Sequence, residues 1–213
     1  MARNTVRARK ALERKKKKRE TKQRQSRSGS IQTRSLVARM KMAGRRPLRE
    51  CLINDGWKTS YLAQVLLSRD RPGGGVALGF FLVDIGCLGV KNTIANDTLT
   101  TAEYDEFIGK LTQQENMIPC DSAFAVKLVQ TAVEYAKGAG FRPEKDYAIA
   151  RGIFGDIDPN ACETEITCGL DGKPYYVSGP NDDVQRILRC LEARFGPDGF
   201  EFIAARDQLY PTW

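Results

Sequence analysis

The sequence predicts an α+β fold: an antiparallel β-meander, three helices, then a β-hairpin, a helix and a closing strand. A disordered or partly helical basic arm precedes it. Three observations predict this. The first is a charge split. The chain has 213 residues, with 34 Lys+Arg and 26 Asp+Glu. Residues 1–50 hold 19 basic and 3 acidic residues, a net +16, while residues 51–213 hold 15 and 23, a net −8. A basic arm (1–45) joined to one acidic globular domain (46–213) follows from that asymmetry. The second is the apolar run "VALGFFLVDIGCLGV" (76–90), which does not alternate and so reads as a central strand covered on both faces. The third is the order of strand-like and helix-like segments, which is not a regular βαβ repeat.

Residues 1–30 are rich in Lys, Arg, Gln and Ser and contain no aromatic residue. They bury too little apolar surface to order alone, yet Ala, Glu, Lys, Arg and Gln favour helix once a polyanion neutralises the repulsion. "SRSGS" (26–30) reads as a flexible joint. Leu36, Val37 and Met40 in 31–44 predict a short amphipathic helix ending at Gly44, and Pro47 opens the domain. "ECLIND" (50–55) and "SYLAQVLLSRD" (60–70) are the first two strands of the meander, "RPGGG" (71–75) is a turn, and 76–90 is the third strand.

Helices follow. Thr100 with Glu103 fits a capping box opening a helix to about 115. Asp121 or Ser122 caps a second, with Phe124, Leu128, Val129, Ala132, Val133 and Ala136 as one stripe and Gly138 or Gly140 at its end. Pro143 starts a third, with Tyr147, Ala150 and Phe154 inward and Gly155 after it. "ETEITCGLDGKPYYVSG" (163–179) is a hairpin turning at Asp171-Gly172. Asn181 caps a last helix whose Val184, Ile187, Leu188, Leu191 and Phe195 keep a 3.6 period, and "GFEFI" (199–203) is a short closing strand.

The segments "VALGFFLVDIGCLGVKN" (76–92), "AVKLVQTAVEYAKGAGFRPEKDYAIARGIFG" (125–155) and "DGKPYYVSGPNDD" (171–183) together resemble a bacterial protein family of unknown function, over about residues 46–204. The resemblance implies a shared fold and no chemistry. It leaves out residues 1–45, so the arm reads as an addition to a shared domain.

Composition narrows the function classes. The absence of His removes Ser-His-Asp and Cys-His catalysis and His-ligated zinc. Six Cys occur without a C-x-x-C pair, which excludes zinc-ribbon spacing and fits reduced thiols in a cytoplasmic protein. No run reaches the roughly 18 apolar residues of a membrane span, and no cofactor motif is present. "PGGG" (72–75) lacks the phosphate-loop pattern, and "FGDIDPN" (154–160) lacks the last ligand of a calcium loop.

Within the domain, Asp84 suits a metal-dependent nuclease if Asp97, Glu103 or Asp105 converges on it and Lys91 meets phosphate. The simpler alternative is that Asp84 terminates its strand. Cys87 and Cys120 are candidate nucleophiles, Cys120 standing just before a helix, with plain burial as the alternative. Lys173, Tyr175, Tyr176 and Ser178 approach the start of the last helix, where Asp182 and Asp183 oppose an anion. The strongest signal is the arm. Arg7, Arg9, Lys10, Arg14, Lys15, Lys16, Lys17, Lys18, Arg19, Lys22, Arg24 and Arg27 predict contacts with nucleic-acid phosphates, RNA or a ribonucleoprotein before DNA, without sequence readout. A protein-interaction module, with the acidic body holding a protein partner, is the remaining alternative.

Overall fold

The order of elements follows from where each segment hides its apolar face. A computed structural model describes residues 35–204. Contacts divide the chain after Arg39. Residues 35–43 are helical (α1), and Arg39 Nη1 donates to Ser35 Oγ one turn back at 3.0 Å. In the larger unit, Met40 and Ala43 are fully buried. The helix closes at Gly44, as its sequence predicts, with Gly44 N–H donating to Met40 O at 3.0 Å.

A five-stranded antiparallel sheet forms the centre, in the order β4-β3-β2-β1-β5. Its strands are β1 (Leu48–Asn54), β2 (Leu62–Asp70), β3 (Val76–Asp84), β4 (Gly89–Leu99) and β5 (Met117–Pro119). A single helical turn, α2 (Trp57–Ser60), joins β1 to β2. Leu66 pairs with Phe80 and Val65 with Phe81 across β2 and β3. Side chains alternate faces along a strand. Val76, Leu78 and Phe80 therefore meet Tyr104 and Leu111 of α3 (Thr101–Gln114) on one face. On the other, the Phe81 ring packs against Tyr147 and Phe154. Burial on both faces is why β3 does not alternate.

The apolar run 76–90 is two strands rather than one. Asp84 Oδ1 accepts the N–H groups of Cys87 (2.8 Å) and Leu88 (3.3 Å), and Gly89 takes φ +70°, so the chain reverses there. β4 then runs back to Leu99. The Thr100–Glu103 capping box is present with both reciprocal bonds. Asp121 caps α4 (Ser122–Gly138) through Phe124 N–H, and the expected stripe is buried apart from a half-buried Phe124.

The third predicted helix is shorter and later. Glu144 N–H donates to Val90 O, while its carboxylate takes Thr93 Oγ1 (2.7 Å) and Asp146 N–H (2.8 Å). These bonds pin residues around Pro143 to β4 instead of letting them coil. Only α5 (Tyr147–Ala150) and a 3-10 turn (Arg151–Phe154) remain, with Tyr147, Ala150 and Phe154 buried as expected. A second 3-10 turn covers Pro159–Ala161.

The expected hairpin at 163–179 shrinks to one bridge, Leu170 with Lys173, around Asp171 (φ +50°) and Gly172 (φ +80°). The backbone beyond it is claimed elsewhere. Gly169 and Tyr175 donate to Ile85 and Gly86 O, and β6 (Tyr175–Val177) pairs in parallel with β7 (Glu201–Ile203). Between these strands lies α6 (Val184–Phe195), which buries Ile187 and Leu191 against Tyr176, Phe141 and Leu88. Its cap is Asp183, not Asn181. Among the described residues, no helix is long and apolar enough to cross a membrane.

Candidate functional site

The turn that Asp84 closes starts β4, and Lys91 lies two residues into that strand. Its half-buried ammonium reaches Asp182 Oδ2 at 2.9 Å, where the chain enters α6. The same oxygen accepts Gly179 N–H at 2.8 Å and the Tyr176 hydroxyl at 3.3 Å. Burial alone would raise the Asp182 pKa, but Lys91 and the Gly179 and Tyr176 donors together hold it below the usual range. Burial, with the neighbouring Asp182 charge, raises Tyr176, whose side chain is fully enclosed.

This junction floors an open cleft of about 530 Å³ between β4, the 140–144 loop and the start of α6. Lys91, Arg142 and Arg186 bring positive charge to it, and Glu144, Asp182 and Asp183 negative charge. All three carboxylates are engaged by the chain's own donors: Asp183 caps Arg186 N–H, Glu144 holds Thr93 and Asp146, and Asp182 holds Lys91. The arrangement is a charge-paired joint with Arg142 exposed on its rim. Chemically it is suited to holding α6 on the sheet rather than to abstracting a proton.

Asp84 sits behind this joint, 7% exposed. Burial raises its pKa, and the Cys87 and Leu88 N–H groups and Lys91 oppose the rise. Asp84 therefore terminates its strand, the simpler of its two expected roles. Glu103 is spent on its capping box, and among the described residues no three of His, Cys, Asp and Glu gather as a metal site. Cys87 is buried, and burial followed by the Asp84 charge raises its thiol. Cys168 is pushed up to about 11 for the same two reasons.

The aromatic residues before α6 are also committed to the fold. The Tyr175 ring meets Tyr61 edge-on at 4.7 Å, Tyr176 stacks on Phe202 at 5.4 Å, and Lys173 Nζ donates to Asp198 O at 3.0 Å. Cys120 is half-buried, and its Sγ lies 3.4 Å from Cys51 Sγ. The pairings of Lys91 with Asp182 and of Cys51 with Cys120 join residues 91 and 69 apart, and no local spacing announces them. The predicted phosphate-contacting residues, Arg7 to Arg27, lie outside the described residues.

Comparison of the chain with protein-family models, curated proteins and solved structures yields no match.

Proposed function

We propose that the protein is a nucleic-acid-associated protein that docks on structured RNA or a ribonucleoprotein through its cationic arm. One observation carries this reading: residues 2–28 hold 13 Lys+Arg against Glu13 and Glu20, on a body of opposite charge. A polyanion attracts the arm and is repelled by the remainder, so binding concentrates in the arm. The folded unit adds support where the chain enters it. Lys41, Arg45 and Arg49 are exposed there, with Arg49 shared with Asp70 at 3.0 Å, so positive charge continues onto the domain. Lys-rich contacts fall on phosphates and release counterions. Six to ten of them give binding that falls steeply with salt, with a log–log slope of roughly −4 or steeper.

The test is fluorescence anisotropy on a folded RNA hairpin and a DNA duplex across a salt series. The full chain is compared with a chain lacking residues 1–30, whose fold is checked by circular dichroism. The expected result is RNA binding that weakens with salt and is lost on deletion. Unchanged affinity and slope after deletion overturn the reading. A protein partner captured even after nuclease treatment favours the interaction-module alternative instead.

A further inference from the structure

We propose that Cys51 and Cys120 form a reversible disulfide, making this pair a redox-modification site that is independent of the arm. β1 and β5 pair with Leu52 opposite Pro119, Ile53 opposite Ile118 and Asn54 opposite Met117. One more step of that register sets Cys51 opposite Cys120, and Cys120 N–H donates to Cys51 O at 3.0 Å. Directly opposed residues on antiparallel strands have Cα atoms about 4.5–5.5 Å apart, inside the span of about 4.4–6.8 Å that a disulfide accepts. The two sulfurs already lie 3.4 Å apart. The backbone thus needs no rearrangement for the bond to form.

The two thiols differ in the way an attacking and a resolving cysteine differ. Cys51 is 5% exposed, whereas Cys120 is half-buried and reachable from solvent. The hydrogen bond between the two sulfurs lowers the Cys120 pKa against the opposing effects of burial and Asp121, and raises that of Cys51. Cys120 also directly precedes the Asp121 cap of the 17-residue α4, on the positive side of that helix.

A hydroperoxide supplies the oxidant. The Cys120 thiolate attacks the peroxide, its S–O bond forms as the O–O bond breaks, and water leaves after protonation. Cys51 then attacks the sulfenic sulfur, forming the S–S bond and expelling a second water. Two thiols and one hydrogen peroxide give one disulfide and two waters, and a dithiol reductant returns both hydrogens.

The experiment treats the full chain with graded hydrogen peroxide, alkylates remaining thiols, and reads intact mass and cross-linked peptides. Six alkylated thiols fall to four, a Cys51–Cys120 peptide appears, and dithiothreitol restores six. Cys120→Ser retains five thiols under the same treatment, and so does Cys51→Ser. Because Cys51 is buried, thiol counts on wild-type protein before and after reduction stand on their own if that variant misfolds. Six thiols surviving peroxide, a two-thiol loss that persists in Cys120→Ser, or irreversible Cys120 oxidation without the cross-link each overturns the proposal.

Discussion

Lys91 Nζ lies 2.9 Å from Asp182 Oδ2 and ties the third residue of β4 to the entrance of the last helix. The two side chains are 20% and 11% exposed. Removing one partner of a pair costs about 0–1 kcal/mol at a surface and about 3–5 kcal/mol when fully buried. Lys91→Met is expected to fall between, at roughly 1–3 kcal/mol near pH 7. The pH dependence has a definite sign. The folded pKa of Asp182 is depressed, so its contribution is present above the unfolded value of about 3.9 and disappears as pH falls through the lower folded value. Urea unfolding of both proteins at pH 7 and near pH 3 should show a gap that narrows in acid. A gap that is constant with pH, or absent at pH 7, would show that the pair does not hold the joint.

Arg69 is a buried cation that, among the described residues, has no carboxylate within ion-pair distance. Its guanidinium donates to Ile153 O (2.9 Å), Phe154 O (2.8 Å) and Arg46 O (2.5 Å). It clips the 3-10 turn and the segment before β1 onto β2. Burial lowers its pKa, opposed by Asp156, but a guanidinium stays charged at any ordinary pH. Arg69→Met leaves three carbonyls without their donor, at about 3 kcal/mol or more. For a chain of this size that is a fall in Tm of about 6–12 °C. Arg69→Lys keeps a charge but loses the planar fork, and should sit between Met and wild type. A Met variant melting within a degree of wild type refutes the clip.

Most of the fold is written locally. The Thr100–Glu103 box, the Asp121 cap and the Ile187–Leu191 stripe are short-range patterns, and each element stands where its pattern puts it. The misplaced elements are those whose backbone partner is distant. The 76–90 run hides its turn because Asp84, not a Gly-Pro cluster, supplies the acceptor for two N–H groups. Residues around Pro143 lose their helix to a bond with Val90, and Tyr175 leaves its hairpin for Gly86 and β7. The cleft was half visible. Lys91 and Asp182 each stood out in the sequence, but their meeting depends on how α6 docks.

Gly155 takes φ +62° and ψ −123°, a conformation reserved almost wholly for glycine. A Cβ there would run into the Gly44 carbonyl, and one on Gly44 would run into Gly152 O. The close approach lets the end of α1 lie on the 3-10 turn that Arg69 grips. Gly155→Ala is expected to cost about 3 kcal/mol or more, from backbone strain and overpacking together. Gly172→Ala is the control, since it also has positive φ (+80°) but nothing within contact of a Cβ. It should lose only the conformational part, about 1–2 kcal/mol. Thermal melts of the two variants separate the terms, and equal losses would remove the close approach as the cause.

Asp84 offers the sharpest separation of a structural carboxylate from a chemical one. Its Oδ1 accepts two N–H groups, and an asparagine oxygen accepts them equally well. Burial raises the folded pKa of Asp84 above its unfolded value, so the folded state binds the extra proton and stability declines as pH climbs from about 3.9 through the folded value. Asp84→Asn has no proton to lose there. It should match wild type in acid and equal or exceed it at neutral pH, whereas Asp84→Ala, which strips the acceptor from both N–H groups, should lose about 2–4 kcal/mol at either pH. Denaturant melts at pH 4 and pH 7 read all three proteins. The same Asn variant, incubated with RNA or DNA and Mg²⁺ or Mn²⁺, addresses the nuclease alternative: cleavage by wild type that Asp84→Asn abolishes while its stability is kept would make Asp84 a catalytic ligand and overturn its assignment as a turn acceptor.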